Sequence, residues 1–297
     1  MTSVYCTLFE GDYHFGVASL LNSLERNEIR ATVVCGFRGP PPFWVDQTRK
    51  LKHVRAEFVP VVSERHFTNY KPVFMLESLV RHPSSRVYYI DPDVVVKTSA
   101  AMMARWATDG ISLAEDVNGH LPARHPLRLA WSDFLADRQH EQLRDLDVYY
   151  NAGFVGVPAE MTDFLQAWVR ILDELELELG PLSTLANNKA GTLFRTPDQD
   201  AMNMTLSLGL WPVNGAGPEA MDFASGGQLL SHAIGSAKPW MGHAVANGLK
   251  GRVLAPAHKN WLTYAEGPIR AMTRPQLARI ARSQRLASAI GRVYRRA

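Results

Sequence analysis

Two carboxylates one residue apart, Asp91 and Asp93, lie at the end of the strand-like stretch in RVYYIDPDVVV. Hard oxygen donors so placed can hold Mn²⁺ or Mg²⁺, and a cation held there can neutralise a diphosphate. The spacing alone is common, since Asp145/Asp147 and Asp198/Asp200 share it. What distinguishes Asp91 and Asp93 is their place at a strand end, where α/β sheets present ligands; the other reading is a solvated turn after an edge strand. A second group, in SHAIGSAKPW, brings together His232, Gly235, Lys238 and Trp240. Its imidazole suits a divalent cation, its glycine permits close backbone approach, and its lysine is a point charge for phosphate. Read separately, His232 is a hydrogen-bonded core histidine and KPW a turn.

Elements able to position these groups alternate along the first hundred residues: SVYCTLF, HFGVASLLNSLER, IRATVVCGF, PFWVDQTRKLK, AEFVPVV, PVFMLESLVRH and RVYYIDPD read as βαβαβαβ. Apolar runs flanked by helices predict an α/β fold with a mixed, mostly parallel sheet covered on both faces. Lys71-Pro72 marks one helix start, because proline suits the first helical turn. Beyond Asp93 the pattern predicts a helix at AMMARWAT, strands at GISLAED and YYNAGFVGV, a long helix from about Met161 to Leu179 and a short one near Asp198 to Leu208. The His- and Arg-bearing stretch from Gly119 to Ala136 reads as irregular, with His120, Arg124, His125 and Arg128 at the surface.

The chain has 297 residues, 46% of them hydrophobic and 21% charged, which excludes disorder, collagen and coiled coil and allows a substantial core. Only Cys6 and Cys35 are present, so neither a disulfide framework nor a zinc site of thiols is expected. The N-terminal residues lack a basic, long-apolar leader and no run of about 18 apolar residues follows; the expectation is a cytoplasmic, non-spanning protein. The net charge of +3 is uneven: residues 268–297 hold eight Arg and no acid, leaving −5 on residues 1–267. The expected organisation is therefore a main domain over 1–267 and a basic amphipathic extension over 268–297.

At this point the sequence resembles retaining glycosyltransferases of family 8, with a GT-A (nucleotide-diphospho-sugar transferase) fold, whose members include glycogenins and bacterial lipooligosaccharide galactosyltransferases. Five motifs carry the resemblance in order: Tyr13, Gly16 and Leu20 to Leu24 after the first strand; YYIDPD; YYNAGFVGV; PDQDAMN; and His-x-x-Gly-x-x-Lys-Pro-Trp from His232 to Trp240. The resemblance implies Asp91, Asp93 and His232 as ligands of Mn²⁺ (or Mg²⁺) against the diphosphate of a UDP-sugar, and Lys238 with the backbone near Gly235 on that diphosphate, Lys71 beside it. It implies Leu8, Glu10, Asp12 and Tyr13 around the nucleoside, and Asp116, Asn151, Asp198 and Gln199 around the donor sugar, with Gln199 or Asp198 nearest the reacting face. Glu10 stands where relatives more often have Asp, and His14-Phe15 replaces the more usual Leu-Pro. The implied activity is transfer of a hexose to a glycan, glycolipid or other hydroxyl acceptor. Alternatives are a self-glycosylating glycogenin-like initiator and a catalytically silent nucleotide-sugar-binding or scaffold protein. A sugar-nucleotide pyrophosphorylase is disfavoured, because CTLFEGDY has one Gly and no basic residue.

From Gln276 to Arg296, helical spacing sets Leu286, Ile290, Val293 and Tyr294 on one side and Arg282, Arg285, Arg292 and Arg296 on another. Such a helix could lie on an anionic membrane surface, dock on the acidic body or contact RNA; similar basic, hydrophobic tails occur in the bacterial relatives that glycosylate lipid-linked acceptors. Nothing else points to nucleic acid as a partner. Trp131, Trp211, Trp240 and Trp261 could offer sugar-stacking faces.

Overall fold

Alternation along the first strand assigns the two faces of the sheet. Val4, Cys6 and Leu8 enter one hydrophobic cluster while Tyr5 and Phe9 enter the other, and the fourth strand divides likewise, Val87 and Tyr89 against Tyr88 and Ile90. Both faces are buried, which is why these segments read as continuous apolar runs. The computed structural model describes residues 3–117, 119, 121–187, 191–250 and 254–293.

The elements run β1 (Ser3–Glu10), α1 (His14–Arg26), β2 (Ala31–Arg38), β3 (Val54–Pro60), α2 (Lys71–Arg81), β4 (Arg86–Ile90), β5 (Val94–Val96), α3 (Ala100–Trp106) and β6 (Ile111–Glu115). Then come α4 (Pro126–Asp137), β7 (Tyr150–Pro158), α5 (Thr162–Leu179), α6 (Pro197–Leu208), β8 (Val213–Ala216), β9 (Leu230–His232), α7 (Ala244–Leu249), α8 (Pro256–Ala265) and α9 (Arg274–Val293). The main sheet has the order β3-β2-β1-β4-β7-β6-β8. It is parallel from β3 to β4, whereas β7 runs antiparallel to both β4 and β6. The mixed α/β sheet expected from the sequence is thus present. Cys6 and Cys35 are free and face opposite sides of it.

Two sequence expectations need correction. PFWVDQTRKLK, expected as a helix, forms only a 3-10 turn over Val45–Lys50. Trp44 anchors it, fully buried with its Nε1 donating to His14 Nδ1 at 3.1 Å, and Gln47 Oε1 accepts from Arg270 N at 2.8 Å, but no residue of the turn itself is buried. The stretch called irregular contains α4, whose N-terminus is capped by His125 accepting from Leu127 N at 3.2 Å. Arg128, expected at the surface, is buried there. It donates to the carbonyls of Leu121 (3.1 Å) and Val148 (2.6 Å), with its guanidinium 5.4 Å from the Trp131 ring. His120 lies outside the described residues.

The C-terminal segment packs on the body. Ile269 is fully buried and tied to Asn22, which accepts from its N–H and donates to its carbonyl. Leu277, Ile280, Gln284 and Ala287, spaced at one helical face, are the buried residues of α9. Leu286 is exposed, so the inward face is not the one expected; Tyr294 and Arg296 lie outside the described residues, as do the side chains of Arg292 and Val293. Among the described residues no helix is long and apolar enough to cross a membrane.

Candidate metal and donor site

The turn after β4 is held from both sides: Asp91 N donates to Gly153 O of β7 at 2.8 Å, and Val94 N closes on Asp91 O at 3.0 Å. β5 then pairs antiparallel with β9 in a register that sets Val94 opposite His232, and Ala233 N donates to Asp93 O at 3.0 Å. That small two-stranded sheet is what brings His232 to the two carboxylates. Its Nε2 lies 3.2 Å from Asp93 and 3.9 Å from Asp91. The three groups can each offer a ligand atom within 4.8 Å of the others. Two carboxylates and one imidazole form a donor set that fits Mn²⁺ or Mg²⁺.

Glycines of two motifs keep this site open. A Cβ on Gly16 would stand 2.1 Å from the carbonyl oxygen of Pro92, between the two carboxylates, and one on Gly153 would stand 2.5 Å from His232 Cε1. Gly153→Ala must therefore displace the imidazole. We expect it to weaken Mn²⁺ binding by roughly 10–100-fold, measured by calorimetry; unchanged affinity would remove His232 from the ligand set.

Lys238 donates to Asp93 and to Ala233 O (2.8 Å). Burial works against the charged form of Asp93, but His232 and Lys238 outweigh it and hold the carboxyl below its usual range. A cavity of about 260 Å³ opens over the group, lined by Leu8, Glu10, Tyr13, Asp91, Asp93, His232, Gly235 and Lys238, all placed here from sequence. His66, Phe67, Thr68 and Leu185 line it as well, and no motif marked them. The ends of β1 and β2 meet in register at Glu10 and Arg38, which form an ion pair at 2.9 Å. The Arg38 guanidinium also sits 4.4 Å from the Phe67 ring, so the Glu10 carboxylate has a fixed direction. Sequence reasoning missed Arg38, whose only available signal was its place at the end of a strand neighbouring β1.

Beyond the carboxylates a second group gathers on Asp116, just past β6. Asn151 Nδ2 donates to its Oδ2 at 2.6 Å and Gln199 Nε2 at 3.1 Å, while Gln199 Oε1 accepts from Ala152 N at 3.0 Å. These three residues line a larger cleft of about 860 Å³ with Trp131, Tyr149 and Asp200. The Asp200 carboxyl, pushed up to about 7 mainly by burial, accepts from the Tyr149 hydroxyl.

Three residues assigned to ligand line neither cavity. Asp12 is exposed on the turn before α1. Lys71 is buried, 3.1 Å from both Asp91 and Asp198, and donates to Ala152 O at 2.9 Å. Burial opposes its charge, yet the two carboxylates raise it above the ordinary lysine value. Asp198 is raised as well, because burial outweighs its share of a single lysine and Asp91 adds to the effect. The lysine thus joins the carboxylate that follows β4 to the first turn of α6. Of the tryptophans, Trp131 lines the larger cleft, Trp211 donates to Asp163, and Trp240 and Trp261 pack into a buried cluster.

No protein-family model and no curated protein matches the sequence. Solved structures do. The chain aligns over 96% of its length with 52% of the bifunctional glycosyltransferase WbbM, at 14% identity and a TM-score of 0.57. It aligns over 95% with 63% of the glycosyltransferase GlyE of Streptococcus pneumoniae TIGR4 (15% identity, TM-score 0.52). Over 93% it aligns with 99% of the galactosyltransferase LgtC, solved with donor and acceptor sugar analogues (15% identity, TM-score 0.56). The chain accordingly has a glycosyltransferase fold of the GT-A type. It spans about half the length of WbbM and nearly all of LgtC, and at these identities the likeness is one of fold.

Proposed function

We propose that this protein is a metal-dependent retaining glycosyltransferase that moves a hexose from a UDP-sugar to a hydroxyl of a glycan or glycolipid. The observation that carries this reading is the convergence of Asp91, Asp93, His232 and Lys238 at one cavity beside the Asp116–Asn151–Gln199 group. Asp91, Asp93 and His232 would hold Mn²⁺ or Mg²⁺, which when bound supplies positive charge to the leaving diphosphate. Lys238 adds a second charge, and its present partner Asp93 shows that it reaches the same point. Tyr13 and the Arg38-held Glu10 face the nucleoside; the amides of Asn151 and Gln199 meet sugar hydroxyls. Asp198 is committed to Lys71 and lines neither cavity, whereas Gln199 lines the larger cleft; this favours same-face transfer beside Gln199 over a nucleophilic Asp198.

The test is UDP release over a panel of UDP-sugars with Mn²⁺ or with EDTA. Slow Mn²⁺-dependent hydrolysis of one donor establishes the class; silence with every donor, together with no Mn²⁺-dependent UDP binding, overturns it. We assign the protein to the cytoplasm and the exposed Arg274, Arg279, Arg282 and Arg285 of α9 to anionic lipid headgroups at the inner membrane face. Co-sedimentation with anionic but not neutral vesicles, reversed by salt, is the expected result, and equal recovery with both would sink it.

A further inference from the structure

The inward face of α9 packs behind the loop that carries Lys238. Trp240, two residues on, is buried in a cluster with Trp261, Leu277 and Ile280, and its ring lies 5.5 Å from Tyr13 and 5.9 Å from Trp261. Tyr13 packs against the same cluster and lies 5.6 Å from the Lys238 ammonium. Polar contacts add to this apolar seat: Gln284 Nε2 donates to His258 O at 3.1 Å, and Ser283 Oγ donates to Gly242 O, the last residue of the loop, at 3.4 Å. Ala287 meets α7 so closely that a Cβ on Gly248 would stand 3.3 Å from its Cα. Among the described residues the indole nitrogens of Trp240 and Trp261 have no hydrogen-bond partner, so packing is what fixes these rings.

We infer that α9 is a positioning element of the donor site, and that Leu277, Ile280 and Gln284 are positioning residues. They seat Trp240, and through it Lys238 and Tyr13, so that seating of the C-terminal helix and occupation of the pocket are one coupled equilibrium. The inference rests on the reading of Lys238 and Tyr13 as donor-binding residues. If a loosened helix leaves only a tenth of the molecules with the loop in place, apparent affinity falls about tenfold, because the binding-competent fraction divides the intrinsic constant. Both partners gain: bound nucleotide must likewise hold α9 down.

The experiment uses the full chain with Ile280→Ala, the milder Gln284→Ala, the conservative Ile280→Val, and Leu286→Ala on the exposed face of the same helix as control. Amide hydrogen exchange without ligand reads the brace directly. Residues 235–242 should exchange faster in Ile280→Ala and Gln284→Ala, should be largely restored in Ile280→Val and unchanged in Leu286→Ala, with β7 unaffected in all four. Calorimetry with UDP and Mn²⁺ reads the coupling: Kd should rise about tenfold in Ile280→Ala and stay at the wild-type value in Leu286→Ala. Loop exchange unaltered by Ile280→Ala and Gln284→Ala overturns the inference whatever UDP does. Faster loop exchange in a chain whose wild type binds no UDP upholds the brace and removes the donor reading instead. Wild-type UDP affinity in Ile280→Ala despite a loosened loop overturns the coupling.

Discussion

Asp93→Asn is expected to lower Mn²⁺-dependent hydrolysis of the accepted UDP-sugar by roughly 10²–10³-fold. Asp93 is the carboxylate shared between His232 and Lys238, and it is held ionised by them despite burial. Asparagine keeps its volume and one acceptor for Lys238 while removing the negative charge that a divalent ion requires. Asp93→Ala would in addition leave Lys238 with no side-chain acceptor at this position and open a void, adding a folding defect to the site effect. Calorimetry should show UDP binding that no longer responds to Mn²⁺. A variant whose UDP affinity rises with Mn²⁺ as before would place the metal elsewhere.

Lys71→Met should have the largest effect on stability. Its ammonium is the cation between Asp91 and Asp198 and is nearly inaccessible to water; Asp91 opens on the cavity, but removing the lysine strands the buried Asp198 carboxylate with little solvent to compensate. Breaking a buried pair in this way costs about 3–5 kcal/mol, which for a chain of this size lowers Tm on the order of 10 °C. The loss should depend on pH. The Asp198 carboxyl already titrates above its ordinary value, and without Lys71 it rises further. A raised folded-state pKa means stability is retained at low pH, where the group is protonated, and lost as pH climbs through the raised value. Urea unfolding should therefore show a wider gap to wild type at pH 7.5 than at pH 4.5. Adding Asp198→Asn to Lys71→Met should recover much of the loss at pH 7.5. An equal deficit at both pH values would mean that lost packing, and not stranded charge, is responsible.

These two residues mark the limit of what linear sequence discloses here. Asp91 and Asp93 were legible because a continuous apolar run, buried on both faces of the sheet, must end somewhere, and carboxylates at that end are conspicuous. Helices such as Thr162–Leu179 were legible for a similar reason, their apolar positions recurring at helical spacing. Periodicity is a property of neighbours in the chain and needs no partner to be read. His232 was recognisable only as part of a motif. Its approach to Asp93 depends on the register of β5 against β9, a pairing between segments more than a hundred residues apart that short-range pattern does not encode. Lys71 could be assigned as a basic residue near the site, but its commitment to Asp91 and Asp198 follows from three elements converging, β4, α2 and α6. The same holds for the burial of Arg128 and for the face of α9 that turns inward, where Leu277 and Ile280 rather than Leu286 find apolar partners. Composition and local periodicity thus determined the α/β class, most elements and the residue types available for chemistry. Which of them meet, which are spent on one another and which face the cavity was decided by tertiary packing, because burial and charge pairing depend on surroundings that distant segments supply.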